Sequence, residues 1–384
     1  MKQSLITFFI LAALFAAATV NSQDAVPSIE RTSYVDADGN TIPMLVAREL
    51  NLPILSDVPI AESQLTTQAT DDDIDVVLFS NWMTGNINRV RVPKSGELPS
   101  GIEDYLTGVG PVSALDVVID AFDPSVKTIF ASKLNARLMK ITERVKSKKA
   151  KHVVTIDGTY ETSLAGGDAL HALSKDQVLL GGFAINPGIS VNTVSGTNTI
   201  NFRTMLESFN RGVVSNIVDI AKDARTSQYY IIDRRQGIIF RFRLGRDQQG
   251  DFQAVNVEEW SRDFPTAEAI AVDEVGNVFV ATSGVNNAPI LDQKDGRIYR
   301  LDTNGAVRAL FKASTPLILL ETRATQMVAK GGRLYIVTQV RFQGGGLLRL
   351  DYDPNQNAAD LGFRQFGGFL ISNGYLGGLA WVNK

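Results

Sequence analysis

The sequence has no cysteine among its 384 residues. Disulfides, thiol nucleophiles, Cys-ligated zinc and iron–sulfur clusters are therefore excluded, and the fold must be held by its core and by closure of the chain on itself. Net charge is only −3, so there is no global basic field for nucleic acid. No Asn-x-Ser/Thr triplet occurs, and N-glycosylation is not expected. Common catalytic signatures are missing too: there is no Gly-x-Ser-x-Gly and no His-Glu-x-x-His, and Gly344-Gly345-Gly346 lacks the helix and the Lys-Ser/Thr of a phosphate loop. Only two histidines are present, His152 and His171. The single long apolar run, Leu5 to Val20, spans 16 residues, short for a membrane span of ~20.

Lys2 precedes that run, and the small residues Val20 and Ser22 close it, so residues 1–22 read as an export signal cleaved after Ser22. The mature chain is expected to be secreted, with no membrane span and no nucleic-acid partner. Residues 23–74 read as an N-terminal extension and linker. Ser33-Tyr34-Val35 and Thr41-Ile42 suit a hairpin around Asp36–Asn40, and Ser63–Asp73 is polar, as in a linker. The Asp36-Ala37-Asp38-Gly39-Asn40 turn superficially matches a calcium loop, but its glycine comes too early and no glutamate follows at the required distance.

What the chain does have is repetition. An apolar stretch with one base recurs at Ile87–Val90, Leu138–Ile141, Ile239–Phe242, Ile298–Leu301 and Leu347–Leu350, with a looser sixth copy at Asn201-Phe202-Arg203-Thr204. A spacing of about fifty residues with strand chemistry at each copy marks a β-propeller. A second repeat precedes each basic strand. It begins with a polar or small residue and runs on as a buried strand, at Asp168–Leu173, Asn216–Ala221, Glu268–Asp273, Thr325–Ala329 and Gly377–Val382, with a vaguer copy at Ala114–Asp120. The copies are out of phase at the two ends of the region. Gly377–Val382 has no strands after it, and Val76–Phe79 and Ile87–Val92 have none before. The expected fold is therefore an all-β six-bladed β-propeller over residues 75–384, closed by pairing of the C-terminal strand with the N-terminal strands, which removes an open edge. The base in each repeat reads as structural, its stem lying over apolar neighbours and its head paired with an acid on an adjacent strand.

Glu268–Asp273, Gly276–Thr282, Gly296-Arg-Ile-Tyr-Arg-Leu-Asp302 and Ser215-Asn216-Ile-Val-Asp219 give the chain a resemblance, over about residues 75–384, to the six-bladed propellers of the regucalcin/gluconolactonase and NHL-repeat group. That resemblance implies a divalent metal, often Ca2+, at the mouth of a central tunnel, held by residues at the starts of innermost strands. The family's asparagine falls on Asn216 and its catalytic aspartate near Glu268, with Asp168 a further polar position at the same offset. Asp168, Asn216 and Glu268 are thus the candidate metal ligands. The family's glutamate falls at Gly377-Gly378, where this chain has no acid.

His171, three residues after Asp168, is a candidate base for activating water, or equally a wall histidine. His152 reads as a strand end. Glu143–Lys151 (ERVKSKKAK) is a local basic patch that suits either a solvated hairpin end or a sulfated or phosphorylated partner. Ala184–Asn198 and Ser283–Gly296 read as long loops on the rim of a binding face, with Asn81-Trp82 adding an aromatic there. Three functions follow. One is a secreted, monomeric propeller that binds a small ligand or extracellular protein partner at its tunnel mouth. Another is a calcium-dependent lactonase or esterase with Glu268 and His171 as the catalytic candidates. The third is an extracellular matrix component.

Overall fold

Alternation of apolar side chains along short runs builds the regular elements. Tyr229 and Ile231 face one way along their strand, Tyr230 and Ile232 the other, and all four are buried because the sheet is packed on both faces. The computed structural model describes residues 33–35, 41–43, 73–82, 84–95, 101–133, 137–145, 152–162, 169–182, 188–195, 199–205, 216–262, 264, 266–282, 297–301, 307–311, 322–340, 344–355, 364–372 and 376–382. The candidate export signal lies outside them. Among them the chain is all-β, and no helix is long and apolar enough to cross a membrane.

A hairpin of β1 (Ser33–Val35) and β2 (Thr41–Pro43) comes first, as expected around Asp36–Asn40. Among the described residues, six four-stranded antiparallel sheets follow. Sheet I runs β26 (Leu376–Trp381), β3 (Ile74–Asn81), β4 (Asn86–Pro93), β5 (Ile102–Leu106). Sheet II runs β6 (Val112–Ile119), β7 (Val126–Lys133), β8 (Arg137–Val145), β9 (His152–Glu161). Sheet III runs β10 (Ala169–Ser174), β11 (Gln177–Gly182), β12 (Gly188–Ser195), β13 (Thr199–Met205). Sheet IV runs β14 (Ile217–Asp223), β15 (Gln228–Asp233), β16 (Ile238–Arg246), β17 (Phe252–Ser261). Sheet V runs β18 (Ala267–Val272), β19 (Val278–Thr282), β20 (Arg297–Leu301), β21 (Val307–Phe311). Sheet VI runs β22 (Thr322–Lys330), β23 (Arg333–Val340), β24 (Gly344–Asp351), β25 (Arg364–Ser372).

The first strands of the sheets neighbour one another in the order β6, β10, β14, β18, β22, β26 and back to β6. A separate apolar cluster fills each junction between successive sheets. Leu78, Leu115 and Ile129 lie between I and II, Phe130, Leu170 and Leu180 between II and III, and Leu179, Ile220 and Ile231 between III and IV. Tyr230, Ile270 and Val280 lie between IV and V, Phe279, Met327 and Ile336 between V and VI, and Val337, Phe79 and Leu379 between VI and I. The architecture is β-propeller-like. Sheet I is completed by the two ends of the domain, β26 pairing with β3 so that Trp381 lies opposite Val77.

The repeat containing a base maps onto third strands. Arg89, Lys140, Arg241, Arg300 and Arg349 sit on β4, β8, β16, β20 and β24, opposite Leu78, Phe130, Tyr230, Phe279 and Tyr335 of the second strands. Four of the five reach toward the following sheet. Lys140 pairs with Asp176 at 2.8 Å, and Arg300 donates to the carbonyls of Pro354 (3.0 Å) and Asp353 (3.3 Å). Arg349 donates to those of Pro93 (2.7 Å) and Lys94 (3.0 Å), and Arg89 lies 3.9 Å from Glu143. Arg241 pairs within its own sheet with Glu258.

Three expectations are corrected. The sixth copy, Asn201–Thr204, lies on the fourth strand β13; the third-strand place belongs to Asn192, opposite Val178. Ala184–Asn198 is for the most part not a loop, because β12 occupies Gly188–Ser195. Its Asn/Ser/Thr/Gly content conceals an alternation that buries Ile189 and Val191 completely. Glu143 is not part of a solvated hairpin end. It is buried on β8, where its carboxylate accepts the Tyr105 hydroxyl at 3.1 Å. Residues 146–151 and Ser283–Gly296 lie outside the described residues.

Candidate functional site

The starts of the first strands share a local device. In β14, Ile217 pairs with Asp233 and Asp219 with Ile232, leaving Val218 as an extra residue. The same slip leaves Glu268 extra in β18, Thr325 in β22 and Ser113 in β6, and sets Gly377 and Gly378 of β26 together against Ser80. Such bulges re-aim side chains and recur beside functional sites. The start of β10 runs without one, from Ala169 opposite Gly181 to Leu170 opposite Leu180. This register sets Glu268 level with Val218 and Thr325. Asn216 stands two residues before that level, so it does not share Glu268's offset as the sequence spacing suggested. Asp168 lies outside the described residues.

Glu268 is fully enclosed, its side chain 0% exposed, and its Oε1 lies 2.8 Å from a guanidinium nitrogen of Arg234, which is 14% exposed. The pair bridges sheets IV and V. The backbone N–H of Arg234 also donates to the Asn216 carbonyl at 2.9 Å, which ties that residue to the same end of the sheets. The side-chain Oδ1 of Asn216 is buried and accepts no hydrogen bond among the described residues. A buried acceptor left unpaired costs about 1–3 kcal/mol, so it marks a place for a donor. Thr266, two residues before Glu268, holds φ at 72°. A β-branched residue there is strained.

Gly377-Gly378 explains the absent acid. A Cβ on Gly377 would lie 2.1 Å from both the Trp82 indole nitrogen and the Val112 carbonyl oxygen, and one on Gly378 would lie 2.6 Å from the Leu115 nitrogen. Trp82 is half-buried at this end of the sheets. Its indole N–H donates to the Val112 carbonyl, which also accepts Ser80 Oγ at 2.7 Å. No side chain of any kind fits at Gly377, so β26 carries no counterpart of the glutamate of the resembling family. The described residues do not suit a calcium ion. The one acid of the expected set that they include is held by a guanidinium, the closing strand supplies none, and no three His or acidic side chains among them form a metal-binding group.

His171 sits deeper, on β10. Cross-strand pairing sets it level with Leu115, Ile220, Ile270, Met327 and Leu379 of the other first strands, all buried and apolar. Its Nδ1 lies 3.0 Å from Oδ2 of Asp116 on β6, with the side chains 22% and 27% exposed. Its ring edge meets Tyr229 at 5.6 Å between centroids. Asp116 is itself fixed by the backbone N–H groups of Val117 (2.8 Å) and Ala172 (2.7 Å). A carboxylate at Nδ1 keeps the proton on that nitrogen and presents the Nε2 lone pair. Asp116 was missed in the sequence because its strand is the vaguest copy of the repeat. The signal that could have found it is the histidine itself, polar at a level where every other first strand is apolar.

Two further side chains lace the first strands together. Asp219 accepts the N–H of Ile270 at 2.8 Å and of Ile220 at 2.9 Å. Gln326 accepts from Leu379 (2.7 Å) and Leu115 (3.2 Å) and donates to the Leu115 carbonyl (2.9 Å), reaching past the two glycines of β26 to β6. These groups are consumed by the fold.

No protein-family model matches the chain, and no curated protein is similar to it at a significant level. Solved structures are. A protein from Bacteroides fragilis assigned as a 6-phosphogluconolactonase superposes with a TM-score of 0.51 at 12% identity, over 83% of this chain and 100% of that one. The periplasmic gluconolactonase of Pseudomonas aeruginosa superposes with a TM-score of 0.52 at 10% identity, over 79% of this chain and 98% of that one. At these identities the likeness is one of fold, and the chain shares the β-propeller-like fold of these lactonase-type proteins.

Proposed function

We propose that this chain is an exported six-bladed propeller that hydrolyses a lactone, with His171 as general base and Asp116 orienting it. The observation that carries the reading is the 3.0 Å His171–Asp116 contact between two first strands, partly open to solvent. The lactonase names of the fold neighbours favour a ring ester as substrate class. In the reaction, Nε2 takes a proton from water as the oxygen attacks the ring carbonyl carbon. The ring C–O bond then breaks, and the alkoxide recovers the proton from Nε2, leaving an open hydroxy acid. Glu268 is not the base in this scheme, since it is enclosed and held by Arg234.

A panel of sugar lactones and aryl esters followed by proton release tests the reading. Wild type is expected to turn over at least one lactone. His171→Gln is expected to lose about 10²–10⁴-fold in kcat with its melting temperature little changed, because the residue is not in the apolar core. A wild type inert on the whole panel, or an active His171→Gln, would sink it. The buried, unpaired Oδ1 of Asn216 favours a second reading, a propeller that binds a ligand carrying an N–H or O–H donor at the strand starts without turning it over. Saturable lactone binding by calorimetry with no product would select it.

A further inference from the structure

We infer that Arg234 is the resident cation of this rim: its guanidinium holds the place on Glu268 that a divalent ion would take, and excludes calcium from it. The contact is 2.8 Å and the Glu268 side chain is fully enclosed. A second, doubly charged cation on the same carboxylate would have to sit within a few ångströms of a guanidinium with little water between them, where repulsion is poorly screened. Guanidinium groups stay protonated in proteins, so the occupant cannot leave as a neutral group. Calcium also needs six or more oxygen ligands and a net negative charge. Here the charge of Glu268 is already balanced.

The rest of the site agrees. Arg234 is held by its own backbone, whose N–H bonds to the Asn216 carbonyl. At the level of Glu268, the neighbouring first strands offer Val218 and Thr325. Thr325 is engaged, its Oγ1 donating to the Gly377 carbonyl at 2.9 Å. Asn216 keeps a buried, unpaired carbonyl oxygen. It is one oxygen ligand left over at a place where the other charge has been supplied from within. The inference stands apart from the lactone reading, because its readout is metal binding and not turnover.

Calorimetry of calcium chloride into the full chain tests it. Wild type and Arg234→Lys are expected to give no binding heat at millimolar calcium. Arg234→Gln is expected to give a calcium-binding heat that wild type does not, lost again in the Arg234→Gln/Glu268→Gln double variant. Binding by wild type that Glu268→Gln removes would overturn the inference, as would a folded Arg234→Gln that stays silent. Arg234→Gln strands a buried carboxylate and can unfold. In that case calcium restoring its circular dichroism supports the inference, and failure to restore it counts against it. Wild type should melt at the same temperature in chelator and in calcium, and a calcium-dependent rise would also overturn it.

Discussion

The junction of sheets VI, I and II and the run from sheet III to sheet V are built on one plan, but only the first keeps to it. Among the described residues of the closing junction no buried side-chain polar atom lacks a partner. Gln326 satisfies three backbone groups on two other strands, Ser80 accepts from the Gly378 N–H at 2.7 Å and donates to Val112, and Asp75 takes both Arg333 (2.5 Å) and the Tyr335 hydroxyl (2.9 Å) from sheet VI. Between III and V the plan is broken repeatedly. His171 replaces an aliphatic residue, and Asn192 replaces the third-strand base with its Oδ1 buried and unpaired. Asn216 carries a second unpaired oxygen, and Thr266 is strained. Sequences that fold well agree with their structure at most positions, and clustered departures mark function. The closing junction reads as architecture; the arc from III to V, with Asp116 reaching in from β6 of sheet II, carries the proposed site.

The sharpest way to break that contrast is to put back the acid at the closing strand. Gly377→Glu is expected to give no soluble folded protein, because even its Cβ would lie 2.1 Å from a backbone carbonyl and from an indole. The cost should exceed the ~4–5 kcal/mol seen at the upper end of single substitutions. His171→Gln and Asn216→Ala in the other arc should fold. Expression and circular dichroism of the three separate the regions, and a stable Gly377→Glu would show that the closing strand is not packed as described.

Period-two alternation and turn chemistry made most of the fold legible in the sequence. All six first strands, five of the six basic third strands and the pairing of the domain ends follow from them. The exception is sheet III. There Asn192 stands where the base should be, and the pattern slid to Arg203 one strand later. The site was less legible for a related reason. A bulge adds a residue without changing composition, so counting from strand starts placed Asn216 level with Glu268, and pairing moves it two residues away. The charge partners of Glu268 and His171 were hidden because Arg234 and Asp116 come from neighbouring sheets. Alternation reports which face a residue takes. It says nothing of what the next sheet brings to it.

A milder test uses alkaline pH. Three tyrosine hydroxyls at sheet junctions donate to acids: Tyr335 to Asp75, Tyr352 to Asp273 and Tyr105 to Glu143. Burial first, and then the neighbouring carboxylate, pushes each far above the ordinary tyrosine range. Tyr229, beside His171, is raised by burial without such an acid. A folded pKa above the unfolded value of ~10 means that the stabilisation is whole below pH ~10 and falls away as pH climbs past it. Unfolding free energy should therefore drop steeply above pH ~10, with phenolate absorbance from the three junction tyrosines appearing only as the protein unfolds. Tyr335→Phe is expected to cost about 1–3 kcal/mol at neutral pH and to flatten that slope. A slope unchanged by the substitution would mean that the closing junction is not held in this way.

The smallest expected effect tests the other arc. Thr266 occupies the left-handed region at 72° directly before Ala267 and Glu268. A strained residue of this kind costs on the order of 1–3 kcal/mol, while glycine, free to adopt that conformation, loses ~0.5–1 kcal/mol through chain entropy. Thr266→Gly should then leave stability unchanged or raise it, with the melting temperature up by about 1–3 °C. If the strain serves to aim Glu268 at Arg234, the same substitution should loosen that pair, and calcium titration of Thr266→Gly would show a trace of binding where wild type is expected to show none. A variant that melts several degrees lower, with no change at the rim, would place Thr266 with the architectural residues and narrow the functional arc to sheets III and IV.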